Sequence, residues 1–173
     1  MNANTRRQYI LNEVEQADVP ISASALSSKL NVSRQIIVGD VALLRAQGHE
    51  IMATSRGYVI APKFRDENQY IGKVACQHTV DATESELYAI VDLGGIIVNV
   101  IVEHELYGEI TGCLNLRNRD DVDAFLDKVK SLEVKLLAEL TQGVHLHTIA
   151  CRDKTHFENI VQALKIKGLL FEN

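Results

Sequence analysis

No stretch of this 173-residue chain stays apolar for the roughly 18 residues a membrane-spanning helix needs. The first ten residues, MNANTRRQYI, contain no apolar segment of the kind that directs secretion. A soluble, cytoplasmic protein with no membrane partner is therefore expected. Cysteine is scarce. Cys76, Cys113 and Cys151 form no CxxC pair and no even set, which argues against a disulfide framework or a cysteine-only zinc site and leaves free buried thiols as the simple reading. Proline occurs twice and no low-complexity tract is present, so disorder is not expected. With 46% hydrophobic and 24% charged residues, the chain can bury proper cores.

Positive charge is also in deficit, with a net charge of −5 that taken whole disfavours a nucleic-acid partner. Its distribution reverses that reading for one part of the chain. Residues 1–66 hold eight Lys/Arg against six Asp/Glu, whereas residues 67–173 hold ten against seventeen. A mildly basic head on an acidic body suits a DNA-binding module joined to something that does not touch DNA. Two domains are expected, 1–66 and 67–173, with the polar, aperiodic stretch Pro62 to Gln69 as the linker.

In the head, Thr5 is read as the cap of a first helix reaching Gln16, with Tyr9, Ile10 and Val14 on its apolar side. A second helix starts at Ser22 or Ser24 and ends at Asn31, a residue that tolerates left-handed geometry. Ser33 caps a third, in which Ile37, Val41 and Leu44 share one face up to the stop Gln47-Gly48. His49 to Ile60 then changes to strand periodicity around a Thr54-Ser55-Arg56-Gly57 tip, a hairpin. The body is expected to carry strands at Tyr70–His78, Ile96–Glu103, Val144–Cys151 and Leu169–Phe171. Helices are expected at Thr83–Leu93, Asp120–Ser131, Glu133–Gln142 and His156–Ile166. The fold class is α+β: an N-terminal winged helix-turn-helix followed by a C-terminal α/β sandwich.

The segment SASALSSKLNVSRQIIVGDVALLRAQGHEI supplies each part of a helix-turn-helix. Leu26, Leu30 and Val32 form its packing side. Ser33 caps the recognition helix, and Arg34 and Gln35 stand on its first exposed turn, where arginine pairs with guanine and glutamine with adenine. Arg6, Arg7, Lys29 and Arg45 are candidate phosphate contacts, and Arg56 at the hairpin tip is a candidate for the minor groove or the backbone. The bland alternative is a small helical subdomain with solvated arginines.

A second constellation lies in the body. His145 and His147 form an H-x-H on a strand and so share one face. His78 ends another expected strand, and Glu86 lies eight residues on in the next helix. Three imidazoles and a carboxylate suit zinc, nickel, iron or manganese. Taken alone, an H-x-H is more often a pair of surface histidines. His104 is a possible substitute ligand, His49 and His156 are read as structural, and Cys76 shares strand parity with His78 and is a further candidate against the simpler reading of a packed thiol.

The segment NVSRQIIVGDVALLRAQG resembles the winged helix-turn-helix of DeoR-type and biotin-repressor-type regulators, over nearly all of residues 5–62. HTVDATESELYAIVDLGG at 78–95, VEHELYGEITGCLNLRNRDDVDAFL at 102–126 and HLH at 145–147 resemble the 3H domain. Together they make the whole chain similar to the NiaR family of nicotinate-responsive repressors of NAD biosynthesis; Glu105 departs from the proline of the family pattern. The resemblance implies one divalent metal ion, zinc or nickel foremost, held by His78, Glu86, His145 and His147, and nicotinic acid as co-repressor. Arg117, Arg119 and Arg152 are candidates to pair with its carboxylate, and Tyr88 and Tyr107 to stack on its ring. The expected protein is a non-enzymatic repressor, a homodimer on pseudo-palindromic double-stranded operator DNA. Its rivals are a repressor that senses the metal itself and a metal-dependent enzyme.

Overall fold

In a computed structural model the described residues are 1–61 and 69–172; the expected linker falls almost wholly outside them. The chain separates into two compact units, residues 1–66 and 67–173. Among the described residues no helix is long and apolar enough to cross a membrane.

The first unit contains α1 (Ala3–Gln16), α2 (Ala23–Leu30), α3 (Arg34–Ala46) and a hairpin of β1 (Ile51–Thr54) and β2 (Gly57–Ile60). Helix α1 starts two residues before the expected cap. The Asn2 side chain accepts from the Thr5 backbone N–H, so Thr5 lies inside the first turn. Ser22 and Ser33 cap α2 and α3 in the same way, and Asn31 takes the left-handed conformation (φ 52°) that ends α2. The spacing of Ile10, Val14, Leu26, Ile37, Val41 and Leu44 brings them into one buried cluster with Ile51 and Tyr58. Burying each large aliphatic side chain contributes about 1.5–3 kcal/mol. Ile21 and Tyr58 exchange two backbone hydrogen bonds, of 3.0 and 2.8 Å, setting a one-residue bridge along the other edge of β2. Gly57 makes this contact possible: a Cβ there would lie 2.4 Å from the Ile21 carbonyl.

The second unit contains β3 (Tyr70–Gln77), α4 (Thr83–Asp92), β4 (Ile96–His104), β5 (Gly108–Leu116), α5 (Arg119–Leu132), β6 (Val144–Cys151) and α6 (Lys154–Ile166). Its sheet runs β3-β6-β4-β5, antiparallel throughout. Residues Leu87 and Ile90 of α4, Val122 of α5, and Ile160 and Leu164 of α6 pack into one cluster with Val74, Ile97, Leu116 and Ile149, so the three helices cover a single face of the sheet.

Three expectations need correction. Strand β5 was not expected at all; it occupies the sheet edge, and its polar, glycine-containing sequence GEITGCLNL lacks a continuous apolar run. The helix expected over Glu133–Gln142 is instead a short 3-10 segment, Leu137–Thr141, because Glu133 takes the left-handed conformation (φ 50°) and ends α5. The closing strand at Leu169–Phe171 reduces to one bridge, Cys76 to Leu170, flanked by the bonds Gln77 N–H to Leu169 O and Phe171 N–H to Ala75 O.

Candidate metal centre and nucleic-acid interface

Four side chains that the sequence singles out converge in the second unit. Glu86, in the first turn of α4, is 1% exposed, and the helix N-terminus favours its negative charge. His78 follows β3, and His145 and His147 point inward from β6. Their Nε2 atoms all face the one carboxylate, at 2.7 Å for His78, 2.9 Å for His145 and 3.4 Å for His147. Their Nδ1 atoms all face backbone carbonyls instead: Thr79 at 2.8 Å, Gly143 at 2.8 Å and Asn99 at 2.9 Å respectively.

A carbonyl oxygen only accepts, so each Nδ1 is a donor and each Nε2 is turned inward. Three inward nitrogens then meet a carboxylate whose oxygens also carry lone pairs, an arrangement that is stable only with cationic charge at the centre, as protons or as a metal ion. Burial alone would raise the Glu86 carboxyl, but hydrogen bonds from His145, His147 and His78 outweigh it and hold the group well below its ordinary value. Burial acts to lower His78, and the Glu86 hydrogen bond and charge reverse this into a net rise. Neutral imidazoles with Nδ1 anchored on carbonyls are the form in which histidine ligates transition metals.

Gly143 allows the approach of the two histidine-bearing segments. With φ +87°, it lies so close to the His78 carbonyl that a Cβ would stand 2.2 Å from the oxygen. Neither this glycine nor the carbonyl anchors were evident as site residues from the sequence. His104 does not join the cluster: its Nδ1 accepts from the Leu106 and Tyr107 backbone N–H groups and closes the β4–β5 turn.

An open cleft of about 540 Å³ lies beside His78, lined by Gln77, Thr79, Val80, Leu136, Glu139 and Gln142 among others. It adjoins a narrow apolar recess in which Val100, Leu114, Phe125 and Leu137 meet the three histidines and Glu86. None of the five residues suggested for the effector lines either space. Arg119 pairs with Asp92 through two hydrogen bonds, of 2.7 and 2.5 Å, and lies over the Tyr88 ring at 4.2 Å, while the Tyr88 hydroxyl donates to Asp123. Arg152 is exposed beside Asp153, Arg117 reaches Asn115, and Tyr107 is exposed against His104 at the β4–β5 turn. The walls that do line the space, especially Leu136 to Gln142, come from the segment expected to be helical.

In the first unit, Arg34 and Gln35 are exposed on the first turn of α3 and Arg45 is exposed in its last turn. The Ser33 hydroxyl is occupied as the cap, accepting from Ile36 N–H at 3.2 Å. Arg56 is half-buried at the hairpin tip. Arg6 and Arg7 both pair with Asp40, at 2.5 and 3.3 Å, tying α1 to α3. Lys29 pairs with Glu13 at 2.6 Å, tying α2 to α1. Arg6 and Arg7 are thus drawn into the packing of α1 on α3 and Lys29 into a surface pair, whereas Arg34, Gln35 and Arg45 of α3 have no such ion pair among the described residues. Asp40 was missed in the sequence, although the spacing Ile37, Asp40, Val41, Leu44 puts it on the buried face.

Residues 71–173 match the 3H domain and residues 6–59 match an HTH domain. The chain is 37% identical over 174 residues to the transcription repressor NadR of Bacillus subtilis (strain 168), spanning 100% of this chain and 96% of that protein. It is 40% identical over 167 residues to the probable transcription repressor NiaR of Thermotoga maritima, spanning 96% of this chain and 94% of that protein.

Proposed function

The chain belongs to the family of transcription repressors that join an HTH domain to a 3H domain, and from that premise we propose that it represses genes of NAD biosynthesis or niacin uptake, with nicotinic acid as co-repressor. Its relatives are named repressors and not enzymes, so the buried imidazoles are read as a sensing centre. The observation that carries the reading is the convergence of three Nε2 atoms on Glu86, each Nδ1 anchored on a carbonyl, at the edge of an open cleft.

His78, Glu86, His145 and His147 would hold one divalent transition metal ion, with zinc or nickel foremost and iron or manganese compatible with the same donors. Such an ion supplies a fixed positive charge that can take a ring nitrogen or a carboxylate. The pyridine ring suits the apolar wall of Leu136, Leu137 and Phe125. With no arginine among the described residues of the lining, discrimination of the acid from its amide rests on the metal and on Gln77, Thr79 and Gln142.

DNA is read by α3 through Arg34 and Gln35, with Arg45 and the hairpin on the backbone. One recognition helix reads only a few base pairs, so a homodimer on two half-sites is the form that gives useful specificity. Coupling is reciprocal: if nicotinic acid tightens operator binding, operator DNA tightens nicotinic acid binding by the same factor.

The test is fluorescence anisotropy of promoter DNA from NAD-synthesis or niacin-uptake genes, at saturating metal, with nicotinic acid, nicotinamide or neither. Tightening by nicotinic acid alone is expected. Binding that ignores both compounds but follows added metal would replace the co-repressor reading with a metal-responsive repressor.

A further inference from the structure

The histidines are not the only ligand-type groups gathered at Glu86. Cys76 Sγ, a Glu86 oxygen and a His145 nitrogen all lie within 4.8 Å of one another, on three buried residues. Cys76 is fully buried and sits directly opposite His145 in the β3–β6 register. On its other side the main chain bridges to Leu170. Held by pairing on both flanks, this stretch of β3 cannot turn the thiol away from Glu86 without breaking the sheet. The other two cysteines are placed differently: Cys113 lies opposite Asn99 on the edge strand, and Cys151 lies at the far end of β6, its Sγ donating to the Asp153 carbonyl.

Sulfur and nitrogen donors on one zinc stand about 3.5 Å apart at a near-tetrahedral angle, from bond lengths of about 2.3 and 2.0 Å, and the coordination of zinc can expand from four donors to five. Bringing the three observed atoms to that spacing is a matter of side-chain adjustment within a formed site. Imidazole and carboxylate alone discriminate weakly among zinc, nickel, iron and manganese, whereas a thiolate favours the softer ions.

Resting on the metal reading above, we propose that Cys76 is a further ligand of this centre, a thiolate that joins Glu86 and His145 and biases the site toward zinc-like ions over manganese or magnesium. On binding, the S–H bond breaks, a sulfur–metal bond forms and the proton passes to the buffer. No change of oxidation state is involved.

Cobalt(II), a coloured substitute for zinc, tests this in the full chain by titration followed in the near ultraviolet, where thiolate-to-cobalt charge transfer absorbs. The wild-type chain and a Cys113→Ser/Cys151→Ser double variant should both develop the band as cobalt binds. Cys76→Ser should lose the band and bind cobalt more than about 100-fold more weakly, beyond the range seen when a group that only supports the ligands is removed. Stoichiometric cobalt binding without the band in the wild-type chain would overturn the role of Cys76 and leave the histidine–glutamate centre standing. Failure of cobalt or zinc to bind at all would overturn both. Because the wild-type and double-variant spectra decide the matter, the outcome does not depend on whether Cys76→Ser folds.

Discussion

The two units deploy their polar residues in opposite ways. In the first, Arg34 and Gln35, the proposed recognition residues, are in solvent, while the buried Asp40 serves to hold α1 against α3. In the second, the polar groups that mark the site are themselves buried: Glu86, His145 and His147 are each no more than 3% exposed. A surface that reads DNA works by being available, and its energetics depend on salt. A buried cluster must be fully satisfied, and in this unit the satisfaction points to a cation. The difference explains why removing a partner should have graded effects in the first unit and all-or-none effects in the second.

The largest expected effect follows from disabling the proposed metal site. Chelation, or Glu86→Gln, should abolish the response of operator binding to nicotinic acid, and in Glu86→Gln metal affinity should fall by more than about 100-fold, beyond the range for groups that only hold the ligands in place. Salt-dependent, non-specific DNA binding should persist, as measured by anisotropy on unrelated DNA. Loss of non-specific binding as well would show that the two units do not divide the work in this way.

Core truncation sharpens the same contrast. Ile37 and Ile149 are both fully buried, one in each unit's cluster. Either change to alanine should cost about 2–5 kcal/mol. Ile37→Ala should cost DNA binding while metal binding by calorimetry survives, and Ile149→Ala should do the reverse. If each variant loses both activities, the units do not fold independently.

How much of this was legible in the sequence depends on the same division. In the first unit the boundaries of α2 and α3 could be read because Ser22, Asn31 and Ser33 are local signals that act through their own backbone neighbours. Helix α1 was misplaced because Asn2, a competing cap, precedes Thr5. In the second unit the four clustered residues were visible as residue types, but their anchors were not. The Asn99 carbonyl meets His147 only through the pairing of β4 with β6, and Gly143 meets His78 only because the β3–β6 register, continued one position past Gln77 and Val144, sets them opposite each other. The segment after α5 misled because Val134, Leu137 and Leu140 imitate a helical stripe, yet Val134 and Leu140 are more than half exposed.

Within the first unit, arginines at the two ends of α3 should separate specificity from attraction. Arg34→Ala should weaken operator binding by about 1–3 kcal/mol, roughly 5- to 150-fold, and relax the preference at one base position. Arg45→Ala should weaken operator and random DNA alike and lower the salt slope by about one. Competition anisotropy over a salt series distinguishes the two. Equal losses on all sequences from Arg34→Ala would move base reading elsewhere on the unit.

The smallest expected effect tests where the effector is held. Arg119 has the chemistry to grip a carboxylate, and the sequence offered it as such, but its guanidinium is engaged by Asp92 and lies over Tyr88 on the outer side of α4 and α5. On the proposed reading, a carboxylate in the cleft beside His78 would meet Gln77, Thr79 and Gln142 instead. Such an exposed ion pair contributes little to stability because water and salt screen it. Arg119→Ala should therefore leave metal affinity, nicotinic acid affinity and melting temperature within error of the wild type. Gln142→Ala, which alters the cleft without touching the histidines, should weaken nicotinic acid alone. The opposite pattern, a large loss of nicotinic acid affinity for Arg119→Ala and none for Gln142→Ala, would place the effector over the α4–α5 surface and break the link between the buried centre and the ligand.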